Sequence, residues 1–234
     1  MAVDVDKKVL LYSGGLDSFI LRYTYHFDEV VYFDVGTEDS KREMERFDRR
    51  VTIVEFPLKQ FELANKIIPF RNYLFTMLAA NFGNRISIGA TLGDTTRDKD
   101  RVFQSLCGAM LNYFGSVDAK MPYKATYFEV EMPFKNLTKA EIVRDWLKFY
   151  GDKKELLRDS RSCYAGGMKE CGECRSCLRK YVAFKNNDIE DLLDFTVTQG
   201  QLVHLYEESV TKQRHPKELQ EIVQCYSDKS KEKK

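Results

Sequence analysis

Apolar and polar positions alternate between two periods along most of the chain. Lys8–Tyr12 (KVLLY) is a short apolar run that predicts a strand. From Asp17 to Phe27 the apolar residues Phe19, Ile20, Leu21 and Tyr23 follow at helical spacing. Glu29–Val35 (EVVYFDV) is continuously apolar enough for a strand covered on both faces. Ser40–Arg50 is charged and predicts an exposed helix, and Val51–Phe56 a third strand. Pro69 opens a predicted helix to Phe82, with Leu74, Phe75, Leu78 and Ala79 on one stripe. Arg85–Gly89 predicts a strand, Asp100–Phe114 a helix and Thr126–Glu131 a fifth strand. Thr138 and Glu141 stand in capping-box relation before a helix to Phe149 that stops near Gly151.

Strand and helix thus alternate as in an open, Rossmann-like α/β fold with a parallel sheet. Expected divisions are a nucleotide-binding α/β core over 1–157, a cysteine-bearing segment over 158–182, a weakly specified helical segment over 183–226 and a frayed polar tail over 227–234. With 234 residues, 43% hydrophobic and 31% charged, the composition is that of a soluble globular protein. The net charge of +1 gives no reason to expect a nucleic-acid partner. No run of eighteen apolar residues occurs and the first residues lack a signal-peptide pattern, so a cytoplasmic location is expected.

Composition leaves the chemistry open; two short stretches do not. The first is Leu11–Ser18, LYSGGLDS. As a strand-to-helix turn, its glycines relieve backbone strain and Asp17 or Ser18 caps a helix. As an anion site, it lies where α/β ligands bind: glycines admit a phosphate and the helix adds its dipole. Ionised Asp17 cannot donate to phosphate; its natural role is to hold Mg²⁺. The lysine of G-x-x-x-x-G-K-[ST] and the spacing G-x-G-x-x-G are both absent.

The second stretch is Cys163-x7-Cys171-x2-Cys174-x2-Cys177, holding four of the six cysteines. Four thiolates at short spacing suit a closed structural Zn²⁺ site; an iron–sulfur cluster also uses four. Nearby Arg175, Arg179 and Lys180 read either as ligand-facing cations or as exposed charges balancing the metal–thiolate centre. Cys107 reads as core and Cys225 as inert.

Ser13–Ser18 matches SGGxDS, and here the chain resembles the PP-loop ATP pyrophosphatase family. The resemblance implies the PP-loop (adenine nucleotide alpha hydrolase-like) fold, with ATP as co-substrate, Mg²⁺, and adenylation with release of pyrophosphate. Ser13, Gly14, Gly15, Leu16 and Ser18, reached through Leu11 and Tyr12, would then cradle phosphate. Adenine would lie near Phe33, whose ring also reads as core. The cysteine pattern, with Ser162, Tyr164, Gly166, Gly172, Ser176 and Arg179, resembles the 7-cyano-7-deazaguanine synthase family. Ile68-Pro69-Phe70-Arg71-Asn72 and Pro133–Ile142 (PFKNLTKAEI) resemble two further blocks of that family. The family's Gly-Tyr-Pro after the fourth strand is missing here, although Asp94 is kept.

The resemblance implies a deazapurine acid and ammonia as substrates and a nitrile as product. It marks Asp17, Ser18, Arg71 and Asp94 as catalytic candidates. Arg71 would meet phosphate or substrate carboxylate, and Asp94 would either read a guanine-like edge or cap its loop. Lys139 would be an active-site cation, or surface charge beside a helix cap. Rival readings are an adenylating enzyme that stops at an amide, a PP-loop tRNA thiolase, and a nucleotide-binding zinc module without turnover. A homodimer is expected on size alone.

Overall fold

The computed structural model describes residues 6–117, 127–161, 163, 165 and 169–228. Ser162, Tyr164 and Gly166 of the cysteine signature, Thr126 of the predicted fifth strand and most of the predicted tail lie outside them.

The sheet elements are β1 (Lys8–Leu11), β2 (Glu29–Asp34), β3 (Thr52–Glu55), β4 (Arg85–Ile88) and β5 (Glu129–Glu131). They form one parallel sheet in the order β3-β2-β1-β4-β5. β2 is buried along its middle, as its unbroken apolar run requires, whereas β3 lies at the edge and is mostly exposed. Strand order reverses between β1 and β4. The loops leaving these strands are therefore the ones at the switch point where α/β sheets bind ligands.

The helices are α1 (Leu16–Thr24), α2 (Glu38–Met44), α3 (Arg71–Ala79), α4 (Arg101–Val117), α5 (Lys139–Tyr150), α6 (Arg175–Lys185), α7 (Gln199–Thr211) and α8 (Pro216–Asp228). α1 stops at Thr24, not Phe27, α3 at Ala79, not Phe82, and α4 runs on to Val117. Three further boundaries differ from the sequence expectation for local reasons. α3 begins at Arg71, not Pro69, because Phe70 takes a left-handed conformation (φ 60°). α2 begins earlier because the Thr37 hydroxyl accepts from Ser40 N. It also ends earlier: Asp48 accepts from the backbone N–H of Arg50, so its side chain competes with the helical pattern. Gly151–Asp159 forms 3₁₀ turns broken by a kink at Lys153, which the sequence pattern did not suggest.

Two compact units result. The first runs to Ser13 and then takes in Leu21–Ala90 and Thr96–Pro133. Its core joins Val9, Val31, Phe33, Ile86, Cys107 and Val130. The second unit holds Gly14–Ile20, Thr91–Thr95 and the chain from Phe134 onward. Its core joins Leu178, Tyr181, Leu202, Leu205, Ile222 and Cys225.

Candidate active site

Within the second unit, Gly14 turns the chain with φ 68°, a conformation that favours glycine. Its carbonyl accepts from Arg161 N at 2.8 Å, which ties the loop to the segment leading into Cys163. The Ser18 hydroxyl donates to the Gly15 carbonyl at 3.1 Å. α1 starts at Leu16, so its first turn offers backbone amides and the positive end of a helix dipole.

Asp17 lies in that first turn, and its carboxylate accepts from the Lys139 ammonium. The two side chains are 12% and 14% exposed, so neither is a surface charge. Lys139 is the first residue of α5, directly after its cap. Thr138 Oγ1 accepts from Glu141 N and the Glu141 carboxylate accepts from Thr138 N, completing the predicted capping box. A cation at a helix N-terminus opposes the dipole; Asp17 supplies the compensating charge. Burial lowers the Lys139 pKa, while Asp17 and Asp94 act in the opposite direction.

Asp94 closes a turn on Thr91, accepting from Thr91 N at 3.0 Å. Its other oxygen accepts from Arg179 Nη1 at 3.0 Å. Lys135 Nζ donates to the carbonyls of Thr91 and Asp94, each at 3.2 Å. Asp94 therefore caps its loop and also faces a buried cation. Arg179 is not a solvent-exposed charge: Nε donates to Glu218 at 2.8 Å, and its side chain is 12% exposed. Burial opposes its charge, but Glu218, Asp94 and Asp17 outweigh that effect and raise its pKa. Lys180 is also buried, donating to Ser160 O at 2.6 Å and Glu170 at 2.7 Å. It thereby fastens both ends of the segment that contains Cys163. Arg175 pairs with Glu208 at the surface.

The four cysteine sulfurs all lie within 4.8 Å of one another. Cys171 and Cys174 approach Cys177 at 3.9 and 3.5 Å. A tetrahedral zinc with sulfurs at about 2.3 Å needs sulfur–sulfur edges of about 3.8 Å, so the donor set fits. Backbone N–H groups of Ala165 and Cys171 point at Cys163 Sγ, and those of Glu173 and Cys174 at Cys171 Sγ. All four ligand positions are protein, the arrangement of a structural metal centre.

The first unit holds the other candidates. Leu11 ends β1 and Ser13 is exposed. Tyr12 is buried between the Phe47 ring (5.1 Å between centroids) and the Arg22 guanidinium. The Phe33 ring stacks on Phe75 at 4.9 Å in the core, so only its backbone remains for a ligand. Arg71 is half-buried, and no carboxylate pairs with it among the described residues. Asn72 donates to Asp98 at 2.8 Å and so orients the 96–100 segment. Asp100 caps α4, accepting from Phe103 N at 2.7 Å. Cys107 is core, and burial pushes its thiol up to about 11. Arg214 and Glu218, the other buried charges around Arg179, carried no sequence signal: nothing local marks them as buried partners of a residue at 179.

The family model described as queuosine biosynthesis protein QueC matches residues 45–188, more than half of the chain. The match includes Arg71, Asp94, Lys139 and the cysteines but not Ser13–Ser18. Among curated relatives, the 7-cyano-7-deazaguanine synthase of Thermoplasma acidophilum is 28% identical, over 81% of this chain and 92% of its own. That of Persephonella marina is 28% identical, over 78% and 94%. That of Campylobacter hominis is 25% identical, over 81% and 99%.

Proposed function

Because this chain belongs to the QueC family, we propose that it converts 7-carboxy-7-deazaguanine and ammonia to 7-cyano-7-deazaguanine with ATP. A substrate carboxylate oxygen attacks the α-phosphorus and pyrophosphate leaves. Ammonia then displaces AMP, which departs with that oxygen, and an amide results. The amide oxygen attacks a second ATP; loss of AMP and of the nitrogen's protons leaves the nitrile. Each adenylation turns a poor oxygen leaving group into a good one.

The observation that carries this reading is the buried Asp17–Lys139 pair at the start of α1. One hard carboxylate facing a phosphate loop is the usual protein share of an Mg²⁺–phosphate site. Bound there, Mg²⁺ would neutralise charge developing on the leaving pyrophosphate. Gly14, Gly15, Leu16 and Ser18, preceded by Ser13, hold the phosphates; Lys139, released from Asp17, faces an anion. Arg71, which pairs with no carboxylate among the described residues, would offer a cation for phosphate or the acid. Asp94 and Arg179 receive the substrate. The four cysteines hold zinc, which fastens the segment tied to Gly14.

One observation favours a second reading, arrest at the amide: Asp94 is engaged by Thr91 and Arg179 where the family's Gly-Tyr-Pro is missing. Incubation with ATP, the acid and ammonium tests both. The nitrile reading expects AMP only when acid is present, and nitrile as the end product. ADP formation contradicts both readings, and accumulated amide selects the second.

A cytosolic homodimer completes the proposal; no helix among the described residues is long and apolar enough to cross a membrane. Val102, Leu106, Met110, Tyr113 and Phe114 leave an exposed apolar row on α4, and residues 102–117 contain no charged side chain. That combination supports burial against a second copy.

A further inference from the structure

The sequence pattern marks α8 and the turn before it only as part of a weakly specified helical segment. They nevertheless carry two buried charges, Arg214 and Glu218, 6% and 5% exposed. One Glu218 oxygen accepts from Arg179 Nε at 2.8 Å and Nη2 at 2.7 Å. The other accepts from Arg214 Nη1 at 3.0 Å. Arg214 Nη1 also donates to the Gly93 carbonyl. The chain of contacts therefore closes on itself. It leaves Asp94 through Arg179, passes through Glu218 and Arg214, and returns to Gly93, the residue beside Asp94.

Two details show what this ring is built to hold. Arg214 Nε is buried with no hydrogen-bond partner among the described residues, so Arg214 keeps its Nη1 contacts at the cost of an orphaned donor. Gly93 packs so closely that a Cβ there would lie 2.0–2.1 Å from the Glu218 carboxylate atoms. Glutamate ends can swing away, but this one is gripped by two guanidiniums. Burial pushes the Glu218 carboxyl up, yet Arg179 and Arg214 outweigh it and hold its pKa low. Buried ion networks are poor sources of stability compared with apolar packing. Their worth here is geometric.

We propose that Glu218 and Arg214 are positioning residues for substrate selection: they set Arg179 and the Thr91–Asp94 turn in the arrangement that receives the acid. This rests on the proposed reading of Asp94 and Arg179 as the acid's receivers. Neither Glu218 nor Arg214 touches substrate; both act through Arg179 and Gly93.

The full-length Glu218→Gln variant keeps size and shape but removes the charge that balances two guanidiniums. It is expected to raise KM for the acid about tenfold or more, with KM for ATP and kcat changed by less than about twofold. Hydrogen exchange should quicken at 91–95 and stay unchanged at 14–18. Gly93→Ala, which pushes on Glu218 from the other side, should reproduce the KM split if Glu218→Gln does not fold. Adding Glu218→Ala to Gly93→Ala should then add little, because both break the same ring. Equal rises in both KM values, a loss of thermal stability alone, or additive effects would overturn the proposal. If the wild type forms no AMP with the acid, the substrate reading fails by itself. Exchange then decides the ring: selective quickening at 91–95 supports it, and uniform exchange overturns it.

Discussion

Asp17 and Lys139 stand 122 residues apart and meet as a buried pair. Removing one member of such a pair leaves the other charge uncompensated. Lys139→Met is therefore expected to cost about 3 kcal/mol in the absence of Mg²⁺. Added Mg²⁺ should recover part of that loss by taking the place of the ammonium. Thermal melts with and without Mg²⁺ check this; a variant melting like the wild type under both conditions would contradict it. Asp17→Asn should lower AMP formation by about a hundredfold or more. The motif around Asp17 was legible because its chemistry is local: six adjacent residues state a turn, a helix start and a carboxylate. Lys139 was legible only as a choice between cap neighbour and active-site cation. Its contact with Asp17 is tertiary and leaves no local pattern. Arg179 and Lys180 read equally well as exposed, since nothing in CRSCLRK says which basic residues α6 turns inward.

At the scale of elements, Thr138 joins two helices. Its hydroxyl accepts from Glu141 N at the start of α5 and donates to Glu221 of α8. Burial raises the Glu221 pKa from 4.5 to about 7, against the opposing Thr138 hydrogen bond. The folded chain thus holds a proton that the unfolded chain has released between those values. Stability from this group is full below the unfolded value and declines as pH rises to about 7. Compared with Glu221→Gln, the wild type should lose unfolding free energy between pH 5 and pH 8; parallel curves would show that Glu221 does not titrate there. The capping box itself was legible from Thr138 and Glu141, because a cap is written in neighbouring residues. α3 was misplaced at its start because a left-handed phenylalanine has no sequence signature. The 3₁₀ turns over Gly151–Asp159 were missed because their charged residues carry no clear period. α4 offers a further check. If its apolar row is covered by a second copy, Leu106→Glu should yield monomers in sedimentation at a concentration where the wild type is dimeric. A wild type that sediments as a monomer would remove that part of the proposal.

For the whole molecule, the succession of strands and helices in a parallel sheet followed from the alternation of apolar runs, and the four-cysteine donor set from cysteine spacing; the spatial order of the strands did not. The closure of the 91–95 turn by α8 did not, because buried charge pairs far apart in sequence leave no local pattern. The cysteine centre should matter to the fold. Chelation of the holoprotein is expected to lower its melting temperature and expose the cluster's four thiols to a thiol reagent. Cys107 and Cys225 should stay protected until global unfolding, being 1% exposed in their cores. Reactivity of all the thiols before chelation would contradict a closed metal site. The central claim is that substrate oxygen leaves on AMP, and isotope transfer tests it most directly. The deazapurine acid labelled with oxygen-18 in both carboxyl oxygens is incubated with ATP, ammonium and the enzyme. The account predicts a nitrile without label and AMP carrying one labelled oxygen from each adenylation. Unlabelled AMP, or label retained in an acid or amide while ATP is consumed, would contradict it.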